Sequence, residues 1–214
     1  ARRDGGRYLV SGQKVWISTA QVAEKVLLLT QAEAGLTLFY TDFDRKYIEV
    51  REIEKMGRKA VDSNQVFFDG LPVPEEDRIG EEGKGFEYIL HGMNPERILI
   101  AAECVGLGRC AVGRAAKYAN ERIVFDRPIG KNQGIQHPLA ANWMALEAAN
   151  LMAFKAASLY DQGKPCGAEA NMAKYLAAKA SWEAANACLQ THGGFGFACE
   201  YDIERKFRET RLYQ

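Results

Sequence analysis

The sequence predicts an α+β protein, a small antiparallel β-barrel or sandwich followed by an antiparallel helical bundle. Three observations predict it. Up to about Gly80, short runs rich in Val, Ile, Tyr and Phe alternate with turn residues. Beyond Gly80, apolar residues recur at three and four, the period of a helix. The 214 residues, 47% of them hydrophobic, suffice for a sizeable core in one large domain or two small ones. The expected division is a partial β-domain over 1–79 and a helical bundle over 80–214.

Tyr8–Val10 reads as a strand that passes through a Ser11-Gly12 turn into a second strand at Lys14–Ser18. Lys25–Gln31, Leu36–Thr41, Ile48–Ile53 and Asn64–Phe68 are further segments of strand length. Pro72 and Pro74 argue against both helix and central strand, so Asp69–Pro74 is expected to close the region. Ile98, Ala101, Val105, Val112, Ala115 and Ala119 then place a helix over about Asn94–Arg122, with Gly108 in the one wide gap of the pattern. Asn94-Pro95-Glu96 has the order of a helix start: an N-cap, a proline at the first helical position, an acid in the first turn. The alternative is one helix from about Phe86, bent at Pro95. A second helix covers about Gln136–Asp161 and stops at Gly163-Lys164-Pro165. A third covers about Ala168–Thr191 and stops at His192-Gly193-Gly194. Long helices with one apolar stripe must pack on one another, and a fourth is expected beyond Gln214.

Lys and Arg number 28 and Asp and Glu number 28, so net charge is zero. No strong field favours nucleic acid or an anionic membrane. The longest apolar runs, such as Val26–Leu29 and Ile98–Ala102, are too short to span a bilayer. Cys104, Cys110, Cys166, Cys188 and Cys199 form no CxxC pair and are expected as buried, reduced thiols. His91, His137 and His192 form no HExxH, and no metal site is expected. The first residue is not Met and the last stretch has no cap or tail, so a longer protein, whose targeting signals lie elsewhere, is expected.

Four segments look like more than packing. Trp16-Ile17-Ser18 at a strand end offers a flat apolar wall and a hydroxyl to a planar ligand; taken alone, a core tryptophan is the better reading. Asn94-Pro95-Glu96-Arg97 carries a carboxylate that the helix-start reading already explains. Glu121–Gln136 is long for a helix connection and holds Arg122, Phe125, Asn132 and Gln133; an arginine fork matches phosphate, and glutamine suits hydroxyls or phosphate. Gln190-Thr191-His192-Gly193-Gly194-Phe195-Gly196 has more glycines than a helix C-cap needs, which suits backbone N–H groups meeting an anion. His192 alone reads as a capping or packing residue.

In this order the segments resemble the acyl-CoA dehydrogenase family of flavoenzymes, across nearly the whole chain. Asp4–Ser18 resembles the entry to that family's middle β-domain, and Gly80–Phe86 its link to the C-terminal helical domain. Arg122, Phe125, Ile129-Gly130 and Gln133 resemble its flavin-contacting loop, and Gln190 with Gly193-Gly194-Phe195-Gly196 its glycine-rich turn. The family's N-terminal helical domain has no counterpart here. Thr19 stands where the family usually has Asn, and Asn132 where it usually has an aromatic residue.

The resemblance implies FAD-dependent desaturation of a fatty-acyl or related CoA thioester. A glutamate removes the α-proton, and a hydride leaves the β-carbon for the flavin. In some members the base directly precedes the arginine matched by Arg97, which makes Glu96 the candidate; the commoner position lies beyond Gln214. Asn94 and Arg97 are the implied substrate contacts. Trp16, Ser18, Arg122, Phe125, Asn132, Gln133, Gln190, Gly193 and Gly194 are the implied FAD contacts. A separate electron-transferring flavoprotein is the implied acceptor. The implied assembly is a homodimer or homotetramer in which Arg122 and the glycine turn reach a neighbour's FAD. The implied setting is a bacterial cytoplasm, or otherwise a mitochondrial matrix or peroxisome. The rivals are an acyl-CoA oxidase or flavin monooxygenase of the same architecture, and a non-catalytic scaffold.

Overall fold

A computed structural model describes all residues, 1–214, and divides them into two compact units, Ala1–Gly92 and Met93–Gln214. The first unit holds β1 (Arg2–Asp4), β2 (Arg7–Ser18), β3 (Lys25–Ala32), β4 (Gly35–Asp42), β5 (Ile48–Glu52), β6 (Ser63–Pro74) and β7 (Arg78–Ile79). They form two antiparallel sheets, ordered β1-β2-β6-β5 and β3-β4-β7. Alternate residues of β2, β6, β3 and β4 point inward, and Tyr8, Val10, Leu28, Phe39, Val66, Phe68, Leu71 and Val73 make one buried cluster. The Tyr8 hydroxyl, at its margin, donates to Glu82 at 2.9 Å and accepts from Arg3 and Arg78, each at 3.2 Å. Burial of that ring therefore leaves no polar atom unpaired.

Two expectations fail here, each for a local reason. Ser11-Gly12 is not a turn, because β2 runs through it unbroken. Between Val10 and Gly12, one residue of β2 faces two of β6, a bulge that Gly70 accommodates at φ +63°. The Ser11 hydroxyl accepts the Gly70 N–H at 3.0 Å. Asp69–Pro74 does not end the sheet either; it is the second half of β6. Pro72 and Pro74 are tolerated because β5 pairs only with 64–68, so β6 is an edge from Asp69 onward.

The remaining elements are α1 (Gly85–Glu121), a hairpin of β8 (Ile123–Val124) and β9 (Arg127–Pro128), α2 (Gln133–Asp161), α3 (Gly167–His192) and α4 (Ile203–Arg211). Asn94 is not an N-cap. α1 begins nine residues earlier and continues through Pro95. A proline removes one helical hydrogen bond without itself supplying a stop, and the helix passes through the local start pattern. The unit boundary falls within this helix.

Two buried clusters define the packing of the second unit. Ala101, Cys104 and Val105 of α1 meet the late residues Ala149, Ala153 and Ala156 of α2 and the early residues Ala173, Ala177 and Ala178 of α3. Ala111, Val112 and Ala115 of α1 meet the earlier Leu146 of α2 and the later Ala180, Ala184, Ala185 and Cys188 of α3. That order makes α2 antiparallel to α1 and α3. Alanine at these positions permits close approach of the axes. The short α4 was not legible in the sequence. It packs on α3 through Phe207 and Trp182, with ring centroids 4.3 Å apart. Lys174 and Glu103 bond the carbonyl and hydroxyl of the buried Tyr213, tying the end of the chain to α3 and α1.

All five cysteines are free thiols, but not all are buried: Cys110 is half-buried and Cys199 is exposed in the turn after α3. No helix is long and apolar enough to cross a membrane.

Candidate functional site

The connection from α1 to α2 is a tight hairpin rather than a slack loop. Phe125 and Asp126 form its two-residue turn with φ of +51° and +62°, both left-handed, as a type I′ turn requires. Arg122 is fixed at its base: its N–H donates to the Tyr118 carbonyl at 2.8 Å, and its carbonyl accepts from Ile129 at 2.9 Å. Asn132 is used within the connection, donating to the Ile129 carbonyl at 3.0 Å and accepting from Arg127 at 2.8 Å. Gln133, exposed at the first position of α2, makes no side-chain bond within the chain. Phe125 is 94% exposed at the tip.

α3 ends at Gly193, whose φ of +58° and ψ of −135° suit glycine alone. A tight turn over Gly193–Phe197 then folds back so closely that a Cβ on Gly196 would lie 2.4 Å from the Leu189 carbonyl oxygen. Gly194 differs. A Cβ there would meet nothing within 4 Å, so the fold itself does not demand glycine at that position. Close approach of a ligand to its backbone would.

The ends of α1 and α3 meet. Arg122 and Tyr118 on one side and Gln190, His192, Gly193 and Gly194 on the other line an open cleft of about 590 Å³. Phe195, which also lines it, lies under Arg122, with the guanidinium carbon 5.9 Å from the ring centroid. No acidic residue lines the cleft, and Arg122 has no carboxylate partner. Tyr118 stacks on His192 with centroids 4.1 Å apart and planes 21° apart. His192 is therefore a wall of the cleft as well as a residue of the helix end. Tyr118 was missed in the sequence, although it sits one helical turn before Arg122 and so on the same face. No group of His, Cys, Asp or Glu is placed to hold a metal ion.

Phe125, Asn132 and Gln133 belong to the same connection but do not line the cleft. Glu96, Asn94 and Arg97 are not near it. They lie on α1, and Glu96 precedes Arg122 by 26 residues, which is about 39 Å of helix at ~1.5 Å per residue. Glu96 is exposed, and the Asn94 side-chain oxygen accepts from Arg97 at 3.2 Å.

In the first unit, Trp16 is 64% exposed, which overturns the reading of a core tryptophan. It occupies a second bulge of β2, where the register slips between Lys14 and Ile17, and its φ is +64°. The bulge turns the ring away from the sheet core. Ser18, at the end of β2, is also exposed.

Comparison with known proteins adds three findings. The acyl-CoA dehydrogenase middle-domain profile matches residues 1–71, and the acyl-CoA dehydrogenase C-terminal-domain profile matches 83–214. The acyl-CoA dehydrogenase FadE12 of Mycobacterium tuberculosis is 40% identical over 220 residues, 99% of this chain and 57% of that protein. The 3-(aryl)acrylate reductase of Clostridium sporogenes is 34% identical over 99% of this chain and 58% of its own length. The glutaryl-coenzyme A dehydrogenase–glutaryl-CoA complex superposes with a TM-score of 0.93 at 33% identity, covering 99% of this chain and 55% of that one. The chain thus spans little more than half the length of these relatives. With both profiles in order and both units accounted for, the chain belongs to the acyl-CoA dehydrogenase family.

Proposed function

We propose that the full protein is an FAD-dependent acyl-CoA dehydrogenase, in which Glu96 takes the α-proton and the Arg122 cleft holds the cofactor's phosphates. The cleft carries the reading. An arginine without a carboxylate partner faces a helix-end turn whose Gly194 opens onto empty space. Both features suit a dianionic pyrophosphate: the guanidinium is a planar fork of donors, and glycine lets backbone N–H groups approach.

When bound, FAD would supply a two-electron acceptor for the hydride that leaves the β-carbon. Arg122 would bind and orient the phosphates, with Gln190, Gly193 and Gly194 offering further polar contacts. Gln133 and Phe125 would meet the cofactor from the hairpin side. The two bonds of Asn132 within the connection give it first a structural task, that of presenting Gln133. Trp16 would provide a flat wall, and Ser18 a hydroxyl, on the flavin of the subunit that carries them. Glu96 would accept the α-proton on its carboxylate. A base for so weak an acid needs desolvation, and the acyl chain lying over the exposed Glu96 would provide it. Asn94 and Arg97 would sit at that same end of the reaction, on the acyl-CoA.

Electrons would then leave for a separate flavoprotein, and the working assembly would be a homodimer or homotetramer. The name of the Clostridium relative supports a second reading, in which the same site runs toward the saturated acid.

The test mixes full-length protein anaerobically with a chain-length series of acyl-CoAs and follows bleaching of the flavin. Glu96→Gln is expected to keep its flavin and to slow bleaching by about 10²–10⁴-fold, the usual worth of a positioned base. Near-normal bleaching by that variant would move the base elsewhere. Bleaching by no saturated acyl-CoA, with re-oxidation of reduced protein by an α,β-unsaturated acid, would favour the reductive reading.

A further inference from the structure

We propose that His192 is a pH-dependent contact of the Arg122 cleft: protonated at Nε2, it becomes a second cation for the phosphates of a bound dinucleotide. The inference rests on the reading of that cleft as the phosphate site.

His192 is 5% exposed, yet it lines the cleft. Its Nδ1 lies 2.8 Å from the Cys188 carbonyl oxygen. A carbonyl only accepts, so Nδ1 carries a proton in either charge state. Nε2 makes no hydrogen bond within the chain. It is not an enclosed orphan either, because the one enclosed side-chain polar atom without a partner is the Ser181 hydroxyl. The ring therefore presents a single free polar edge, on a residue that lines the cleft.

The ring cannot swing away. Tyr118 stacks on one face, and Tyr201 stands edge-on at 5.7 Å and 69°. What can change is the charge. Neutral, Nε2 is an acceptor and has nothing to offer a phosphate oxygen. Protonated, it is a charged donor, and histidine is the side chain that makes this change between about pH 5 and 8.

The groups that face it are few. On its own helix, the Cys188 sulfur is 3.9 Å from Nδ1, and burial pushes that thiol up to about 12, so it stays neutral throughout. On α1, Arg122 shares the cleft, Tyr118 is uncharged, and Arg114 is engaged by Asp202 at 3.4 Å. From the segment after α3 comes Tyr201. No carboxylate lines the cleft to hold a proton on His192. A bound phosphate is the group that would do so. By linkage, phosphate binding and protonation of His192 favour one another.

FAD is a suitable probe, since its pyrophosphate keeps its charge across this range. Dissociation constants of FAD from the full-length protein would be measured by flavin fluorescence between pH 8.0 and 5.5. The wild type is expected to bind about tenfold more tightly at pH 5.5, the effect of one charge-assisted hydrogen bond. His192→Gln keeps a polar edge but cannot take the charge, and its affinity is expected to be flat with pH. Equal slopes in the two proteins would overturn the proposal. Should the variant fail to fold, calorimetry of FAD binding to flavin-stripped wild type in two buffers of different ionisation heat reads the protons taken up. Uptake that peaks in the histidine range supports the proposal, and none at any pH overturns it. Arg122→Ala separates the two levels of inference. If it binds FAD like the wild type at every pH, the phosphate reading of the cleft fails; if it loses FAD while His192→Gln keeps the slope, only the role of His192 fails.

Discussion

Trp16 and Phe125 are large, exposed aromatic residues, and both hold a left-handed backbone at φ +64° and +51°. That conformation costs an ordinary residue about 1–2 kcal/mol, and neither ring recovers it by burial. Both were singled out in the sequence as flavin contacts, and strain of this kind gathers where a ligand is held. Asparagine tolerates the left-handed region far better than phenylalanine. Phe125→Asn is therefore expected to raise stability by about 1 kcal/mol and to lower flavin affinity, read as the urea midpoint and as flavin per subunit. A variant that is more stable with full flavin content would make Phe125 a hairpin tip and nothing more. At this scale the polar lining of the cleft was legible in part, because an arginine, a glutamine and surplus glycines are chemical signatures. Conformation was not. Nothing in Lys14–Ser18 announces a bulge at Trp16, so the local pattern pointed to a core residue, and nothing in Glu121–Gln136 announces a hairpin.

Helix ends were legible where a breaker marks them. Asp161 ends α2 before Gly163 and Pro165, and His192 ends α3 before Gly193, as expected. Boundaries failed where a local signal had a second use. Asn94-Pro95-Glu96 imitates a helix start inside α1, and Pro72 imitates a strand end inside β6, which runs on to Pro74. In both cases pairing or packing at a distance decided the outcome, and a single sequence does not display it. α4 escaped because nine mostly charged residues carry only Ile203, Phe207 and Thr210 as a helical stripe. The wide gap in the apolar pattern of α1 has a physical meaning. A Cβ on Gly108 would lie 2.4 Å from the end of the Leu146 side chain and 3.2 Å from the Ser181 Cα, so the glycine sets how closely α1 meets α2 and α3. Leu146 can turn aside, but the Ser181 backbone cannot without moving α3. Gly108→Ala gains helix propensity and loses this fit; overpacking of about 1–3 kcal/mol is expected to win. A thermal or urea midpoint at or above that of the wild type would show that the bundle yields at this crossing.

Across the whole molecule, the separation of Glu96 from the Arg122 cleft constrains what one chain can do. About 39 Å of helix lies between the proposed base and the proposed phosphate site, far more than a single flavin dinucleotide covers. One subunit cannot then apply both to the same cofactor. Two subunits can: Glu96 of one would serve the reacting end, and the Arg122 cleft of its neighbour would take the phosphates. A site shared in this way is reciprocal in a two-fold assembly, since each chain lends its cleft and receives one. Such a site would also link ligand to assembly, because each FAD bound would bridge an interface and so favour the associated state. Dilution of the full-length protein is expected to release FAD in step with dissociation, and added FAD is expected to oppose both. Light scattering and flavin fluorescence on one dilution series would compare the two transitions. The Arg122→Ala protein should dissociate at a higher concentration than the wild type, by the share of the link it removes. A monomer that keeps one FAD per chain would show the cleft serving its own subunit's cofactor, and Glu96 would then lie too far away to be the base.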